Sequence, residues 1–144
     1  MSRCLLMNAI IKVNQDEGKA RSILSSSEMT LERIAETNEE KFPSNLIKDY
    51  YDVIRELISA ILILEGYKAT GENAHKAQIE YFSANYKILN AEDIILITEL
   101  RITRNNISYE GLQITADYLK SNVSEIKLII EKLKKVLVLK LGKL

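Results

Sequence analysis

Apolar residues recur along this chain at helical spacing. From about Gln15 to Thr37, Ala20, Ile23, Leu24, Ser27, Leu31 and Ile34 fall on one stripe, the three-to-four-residue recurrence that gathers side chains on one face of a helix. A charged loop, Asn38 to Pro43, follows, and Ser44 is of the type that caps a helix start. From about Asn45 to Gly66 the apolar face is Leu46, Tyr50, Val53, Leu57, Ile61 and Leu64, with Lys48, Asp52, Arg55 and Ser59 opposite. Gly66 reads as the stop signal. A shorter helix is predicted from about Glu72 to Ala84, where Ala74, Ala77, Gln78 and Tyr81 share a stripe. A fourth runs from about Ala91 to Tyr109 and ends at Gly111, and a fifth opens near Thr115 and extends toward Leu141. Amphipathic helices joined by short links pack as an up-and-down bundle. The expected fold class is therefore all-α, a bundle of four or five helices. The apolar arm Met1 to Val13 has no evident place in it: its residues would cap the bundle or cross to a partner chain. Tyr50, Tyr81 and Tyr118 are expected to pack with their hydroxyls at the rim.

Composition agrees with that pattern. One proline and five glycines argue against a turn-rich β fold, and 144 residues suit a single domain covering 1–144. Twenty basic residues balance twenty acidic ones, so no global charge argument favours nucleic acid or membrane. The charge is nevertheless uneven. Asn14 to Glu40 is acidic, whereas Lys120 to Leu144 is rich in lysine. Either the first and last helices lie together and neutralise each other, or the last presents a basic face. The single cysteine, Cys4, excludes an intrachain disulfide and a cysteine-based zinc site. The sequence fits a reducing cytoplasm, and neither a metal nor a cofactor is expected. Met1 to Val13 does not read as a signal peptide, and the apolar run Leu57 to Leu64 is too short to span a bilayer.

The fourth helix departs from the bundle pattern. At about 100° per residue, Glu92, Glu99, Thr103, Asn106 and Glu110 share one solvent arc. Most other positions are Ile or Leu, which predicts a central helix. Opposite the solvent arc stand Arg101, Asn105 and Ser108, with Arg104 close by. An unpaired arginine on an inner face costs several kcal/mol. Such a cluster is completed by an internal carboxylate (Glu56 is the best placed in sequence), by the same cluster of a second chain, or by a ligand phosphate. The planar guanidinium suits both carboxylate and phosphate.

That cluster continues as Arg104-Asn105-Asn106-Ile107-Ser108-Tyr109, with Gly111 beyond it. Upstream stand Tyr50-Tyr51, Arg55-Glu56-Leu57, Gly66-Tyr67-Lys68, Ala74-His75-Lys76 and Ile79-Glu80-Tyr81. In this order the residues resemble the HEPN superfamily, and within it archaeal-type proteins with an Arg-Asn-x-x-x-Tyr-x-Gly ending on the fourth helix. The resemblance extends from about Gly18 to Lys134. It implies a helical bundle that usually dimerises. Active members of the superfamily are metal-independent endoribonucleases with an Arg-x(4–6)-His motif, often toxins paired with a nucleotidyltransferase antitoxin or parts of defence systems. The motif arginine would be Arg104, followed by Asn105. The histidine would fall at 109 to 111, where Tyr109, Glu110 and Gly111 stand instead.

The departure has a physical consequence. In such an enzyme the histidine moves a proton at the ribose or the leaving oxygen, and the arginine holds the phosphorane charge. A free tyrosine titrates near 10 against about 6.5 for histidine, so at neutral pH only about 0.1% is ionised. Tyr109 also lies about 140° around the helix from Arg104, which favours a dimer contributing each group from a different chain. His75, the single histidine, is either a helix-terminus residue or a replacement acid or base folded against the Arg104 site. The expectation is a protein that binds RNA or nucleotide phosphates through Arg101, Arg104, Asn105, Ser108 and His75, within a toxin–antitoxin or defence-type system. One alternative is an active endoribonuclease in which Arg104 and Asn105 work with Tyr109 or His75. The other is a non-catalytic dimerising partner of a nucleotidyltransferase. No Gly-rich phosphate loop, nucleophile elbow or zinc-protease motif is present.

Overall fold

In the computed structural model, residues 10–142 are described. Five helices and two short strands follow in the order β1 (Ile10–Lys12), α1 (Glu17–Glu36), α2 (Pro43–Leu64), β2 (Tyr67–Ala69), α3 (Ala74–Asn85), α4 (Ala91–Glu110) and α5 (Ala116–Gly142). The expected all-α bundle is the fold observed. None of these helices is long and apolar enough to cross a membrane.

Local chemistry sets the helix ends. The Asp16 carboxylate accepts the Lys19 N–H at 2.9 Å and caps α1. Asn90 and Asp93 form a reciprocal capping box at α4. Gly111 closes α4 in the left-handed conformation, φ 70°. The start of α2 corrects the sequence reading. Phe42 is its N-cap and Pro43 occupies the first turn, where proline loses no helical hydrogen bond. Ser44 lies inside the helix, and its hydroxyl accepts the Ile114 N–H at 2.8 Å, tying the α4–α5 link to α2.

The central helix is α2, not α4. Leu46, Tyr50, Val53, Leu57, Ile61 and Leu64 are buried as their stripe predicts, and Ile47, Tyr51, Ile54, Ile58, Ala60, Leu62 and Ile63 are buried as well. On α4 the buried residues are Leu96, Ile97 and Leu100, while Ile95 and Ile102 are exposed. Counting Ile and Leu misplaces α4 because, among the described residues, no further helix covers its outer side. The α2 core is walled by α5, through Leu119, Ile126, Ile129, Ile130, Leu133 and Leu137, and by Phe82 of α3. Tyr50 is buried, Tyr81 and Tyr118 pack partly buried against the core, and the Tyr118 hydroxyl donates to Glu99 at 3.1 Å.

Cross-contacts give the helix directions. Arg33 pairs with Asp49 at 2.9 Å, and the Asp16 N–H reaches the Ile63 carbonyl at 3.3 Å, so α1 and α2 are antiparallel. Lys132 on Asp93 and Tyr118 on Glu99 make α4 and α5 antiparallel. The α2–α3 link is longer than a hairpin. It carries β2, which pairs antiparallel with β1 in the register Ile10↔Ala69, Ile11↔Lys68 and Lys12↔Tyr67. The link thereby runs back alongside the bundle, and α3 starts beside Tyr51, whose ring centroid is 6.2 Å from that of His75. Ile10 to Val13 of the N-terminal arm are thus placed, as a clasp on this link. Residues 1–9 of that arm, Cys4 among them, lie outside the described residues. The opposite charges of the first and last helices meet at Glu28–Lys134, 3.9 Å apart. Glu40 in the α1–α2 link pairs with Lys120 of α5. Lys132 and Lys140 turn instead to Asp93 and Glu65.

Candidate functional site

Between the start of α3 and the second half of α4 lies a cavity of about 260 Å³. Its walls are Gly71 to Lys76 on one side and Arg101, Arg104, Asn105 and Tyr109 on the other. Two local features form it. Gly71, at φ 92°, turns the chain into α3, and its carbonyl accepts the Ala74 N–H at 3.2 Å. On α4, Arg101 stands one turn before both Arg104 and Asn105, the i+3 and i+4 spacing at which helical side chains become neighbours.

The cavity brings together Arg101, Arg104, Asn105, Tyr109 and His75. Ser108 is not among them; it is exposed outside the cavity. Arg104 and Tyr109 line the same cavity within one chain, so their separation around α4 does not divide them as expected. Tyr109 is 75% exposed and stands at the mouth.

Arg101 and Arg104 are half-buried rather than enclosed. The carboxylate near Arg104 is Asp52, not Glu56: Asp52 Oδ1 lies 3.9 Å from Arg104 Nε. The same oxygen lies 3.8 Å from Arg55 Nη2, and Glu56 Oε1 is also 3.8 Å from that nitrogen. Asp52 and Glu56 share the polar side of α2, and the helix wheel could not say which of them α4 crosses. Two guanidinium groups therefore flank Asp52, with Glu56 engaged by Arg55. Arg101 has no ion pair among the described residues. The Nε atoms of Arg55, Arg101 and Arg104 are buried without a hydrogen-bond partner among them. The Arg104 Nη1 donor reaches the Asn105 side-chain oxygen at 3.5 Å.

This cationic surplus acts on its neighbours. Burial holds the His75 pKa below the ordinary value of 6.5, and Arg55, Arg104 and Arg101 lower it further, against a smaller opposing pull from Asp52. His75 is thus neutral at neutral pH. The fully buried Tyr51 hydroxyl has no partner among the described residues. Burial pushes its pKa up to about 12 although the three arginines pull the other way; it remains a proton donor. Gly71, Asn73, Lys76, Tyr51, Asp52 and Arg55 were not singled out as site residues in sequence. Gly71 and Asn73 just before α3 carried the one available signal, a turn followed by a helix start.

Chemically, the cavity offers guanidinium donors, the Lys76 ammonium, an amide side chain, a neutral imidazole and a phenol, with Glu72 as the one carboxylate on its wall. No protein-family model matches the chain, and neither a curated protein nor a solved structure matches it significantly.

Proposed function

We propose that this cavity binds a phosphate group of RNA or of a nucleotide, in a HEPN-like domain that belongs to a toxin–antitoxin or defence-type system. The observation that carries the phosphate reading is the arginine pair on one cavity wall: among the described residues Arg101 has no ion pair, Arg104 has only the 3.9 Å contact with Asp52, and neither Nε has a hydrogen-bond acceptor. Guanidinium–phosphate bonds are charge-assisted and bidentate, and a bound phosphate would satisfy donors that are costly to leave unpaired. The HEPN reading rests on the sequence resemblance. A homodimer is part of it, supported by Ile95, Ile102 and Tyr109, exposed by 66%, 49% and 75% at seven-residue spacing along α4. A nucleotidyltransferase-type antitoxin would be the second partner.

Fluorescence anisotropy with labelled single-stranded RNA tests the binding reading. Arg104→Ala is expected to weaken binding roughly tenfold to a hundredfold, the loss of a hydrogen bond to a charged group, and rising salt should weaken the wild type. Unchanged affinity in both Arg101→Ala and Arg104→Ala, at unchanged melting temperature, would overturn it.

One observation favours a second reading, cleavage: neutral His75 lines the same cavity as Arg104. His75 would take the proton of a ribose 2′-hydroxyl as its oxygen attacks the adjacent phosphorus. The bond from phosphorus to the 5′-oxygen would break, that oxygen would take a proton from Tyr109 or water, and the products would be a 2′,3′-cyclic phosphate and a 5′-hydroxyl. Arg104 would hold the phosphorane charge. RNA incubated with the protein in EDTA should yield cyclic-phosphate ends, lost in His75→Ala. Intact RNA at high protein concentration leaves binding as the activity.

A further inference from the structure

The central helix α2 is buried around most of its circumference, yet one strip stays polar: Lys48, Asp52, Arg55, Glu56 and Ser59. That strip leads from the arginine cavity to a second cavity, of about 400 Å³, between α1 and α2. Lys19, Ser22 and Ser26 of α1 and Arg55, Glu56 and Ser59 of α2 line it, with Ile23 as the apolar member. Arg55 joins the two. It forms part of the second wall, and its Nη2 lies 3.8 Å from the same Asp52 oxygen that stands 3.9 Å from Arg104 Nε. Two guanidinium groups, each facing a different cavity, thus flank one carboxylate, and both have a buried Nε donor without a partner among the described residues.

A single phosphate in the first cavity would leave Arg55 and the second cavity unused. A lysine, an arginine and three serine hydroxyls are donors suited to a phosphodiester backbone, and Ile23 gives an apolar spot for a sugar or base face. We propose that the cavity lined by Lys19, Ser22, Ser26, Arg55 and Ser59 is a second subsite for the same strand, so that the ligand is a single-stranded polynucleotide lying across Arg55 from the Arg104 cavity. This rests on the phosphate reading of the first cavity and names its ligand class within it. Glu56 is the one carboxylate on the second wall, and it also engages Arg55 at 3.8 Å. It opposes the backbone there and limits affinity.

The test compares uridine monophosphate with oligouridylates of increasing length, in wild type, Lys19→Glu, Glu56→Gln and Arg104→Ala. Affinity should rise with length beyond the mononucleotide. Lys19 lies exposed on α1, so Lys19→Glu should leave the fold intact. It should weaken the longer oligonucleotides about tenfold, and reduce the salt slope by about the 0.7 of one single-strand phosphate contact, without changing monophosphate binding. Glu56→Gln should strengthen the longer oligonucleotides and leave the monophosphate alone. Length-independent affinity, or Lys19→Glu and Glu56→Gln without effect while Arg104→Ala still weakens binding, overturns the second subsite and spares the first. Arg104→Ala without effect on any ligand overturns both.

Discussion

Protonating His75 would add a cation to a cluster that already holds Arg55, Arg101 and Arg104, and burial opposes it as well. An unfolded histidine titrates near 6.5, and this one titrates lower in the fold. Between the two values the unfolded chain holds more protons, so stability rises with pH across that window and is lost as pH falls through it. The melting temperature should therefore drop as the pH is lowered from 7 through the folded pKa, and His75→Gln should flatten that part of the profile. Since the chain has one histidine, its imidazole NMR signals can be titrated without overlap. Inorganic phosphate bound among the arginines should move the midpoint upward; an unmoved midpoint would show that no anion sits beside His75. His75 stands in the first turn of α3 and lines the same cavity as Arg104. The pairing of Arg104 with Asp52 was not legible, because which of two carboxylates on α2 meets α4 depends on how the helices cross.

Apolar spacing made the helices legible to within a few residues at most ends, and the glycines marked where several stop. Two of them stop helices under different constraints. Gly111 has φ 70° with open space where a Cβ would project. Gly66 has φ 85°, and a Cβ there would stand 2.9 Å from the Val13 carbonyl oxygen. Gly111→Ala should cost about 1–2 kcal/mol, the left-handed penalty alone. Gly66→Ala should cost more, because the clash falls on backbone that also bonds Gly66, with the Val13 N–H donating to its carbonyl at 2.8 Å. Urea denaturation of both variants checks the order. What the spacing could not show were strands of three residues, too short to express an alternation. Nor could it show that α4, rich in Ile and Leu, would keep Ile95 and Ile102 in solvent. Periodicity reports which side chains are apolar, not whether anything covers them.

At the scale of the whole molecule, the exposed row of Ile95, Ile102 and Tyr109 runs beside the arginine cavity, since Tyr109 belongs to both. If two copies meet along it, Ile102→Glu should shift the mass measured by light scattering from dimer to monomer, with little change in helical circular dichroism. A wild type that is monomeric at high concentration would remove the homodimer from the proposal. The overall architecture was legible because local stripes and short links leave few ways to pack. The route of the α2–α3 link was not, because it depends on β1, far away in sequence, pairing with β2. That pairing bears on the order of assembly. The α1–α2 hairpin is local, whereas closing Ile10–Lys12 onto Tyr67–Ala69 requires a long loop, and such contacts tend to form late. Gly71 to Lys76, the wall that presents His75, follows directly on β2 and should set only after the clasp closes. Substitutions in the clasp should therefore accelerate unfolding and leave the folding rate nearly unchanged, a pattern stopped-flow chevrons would reveal. The cavity would then be the last part of the molecule to form and the first to open.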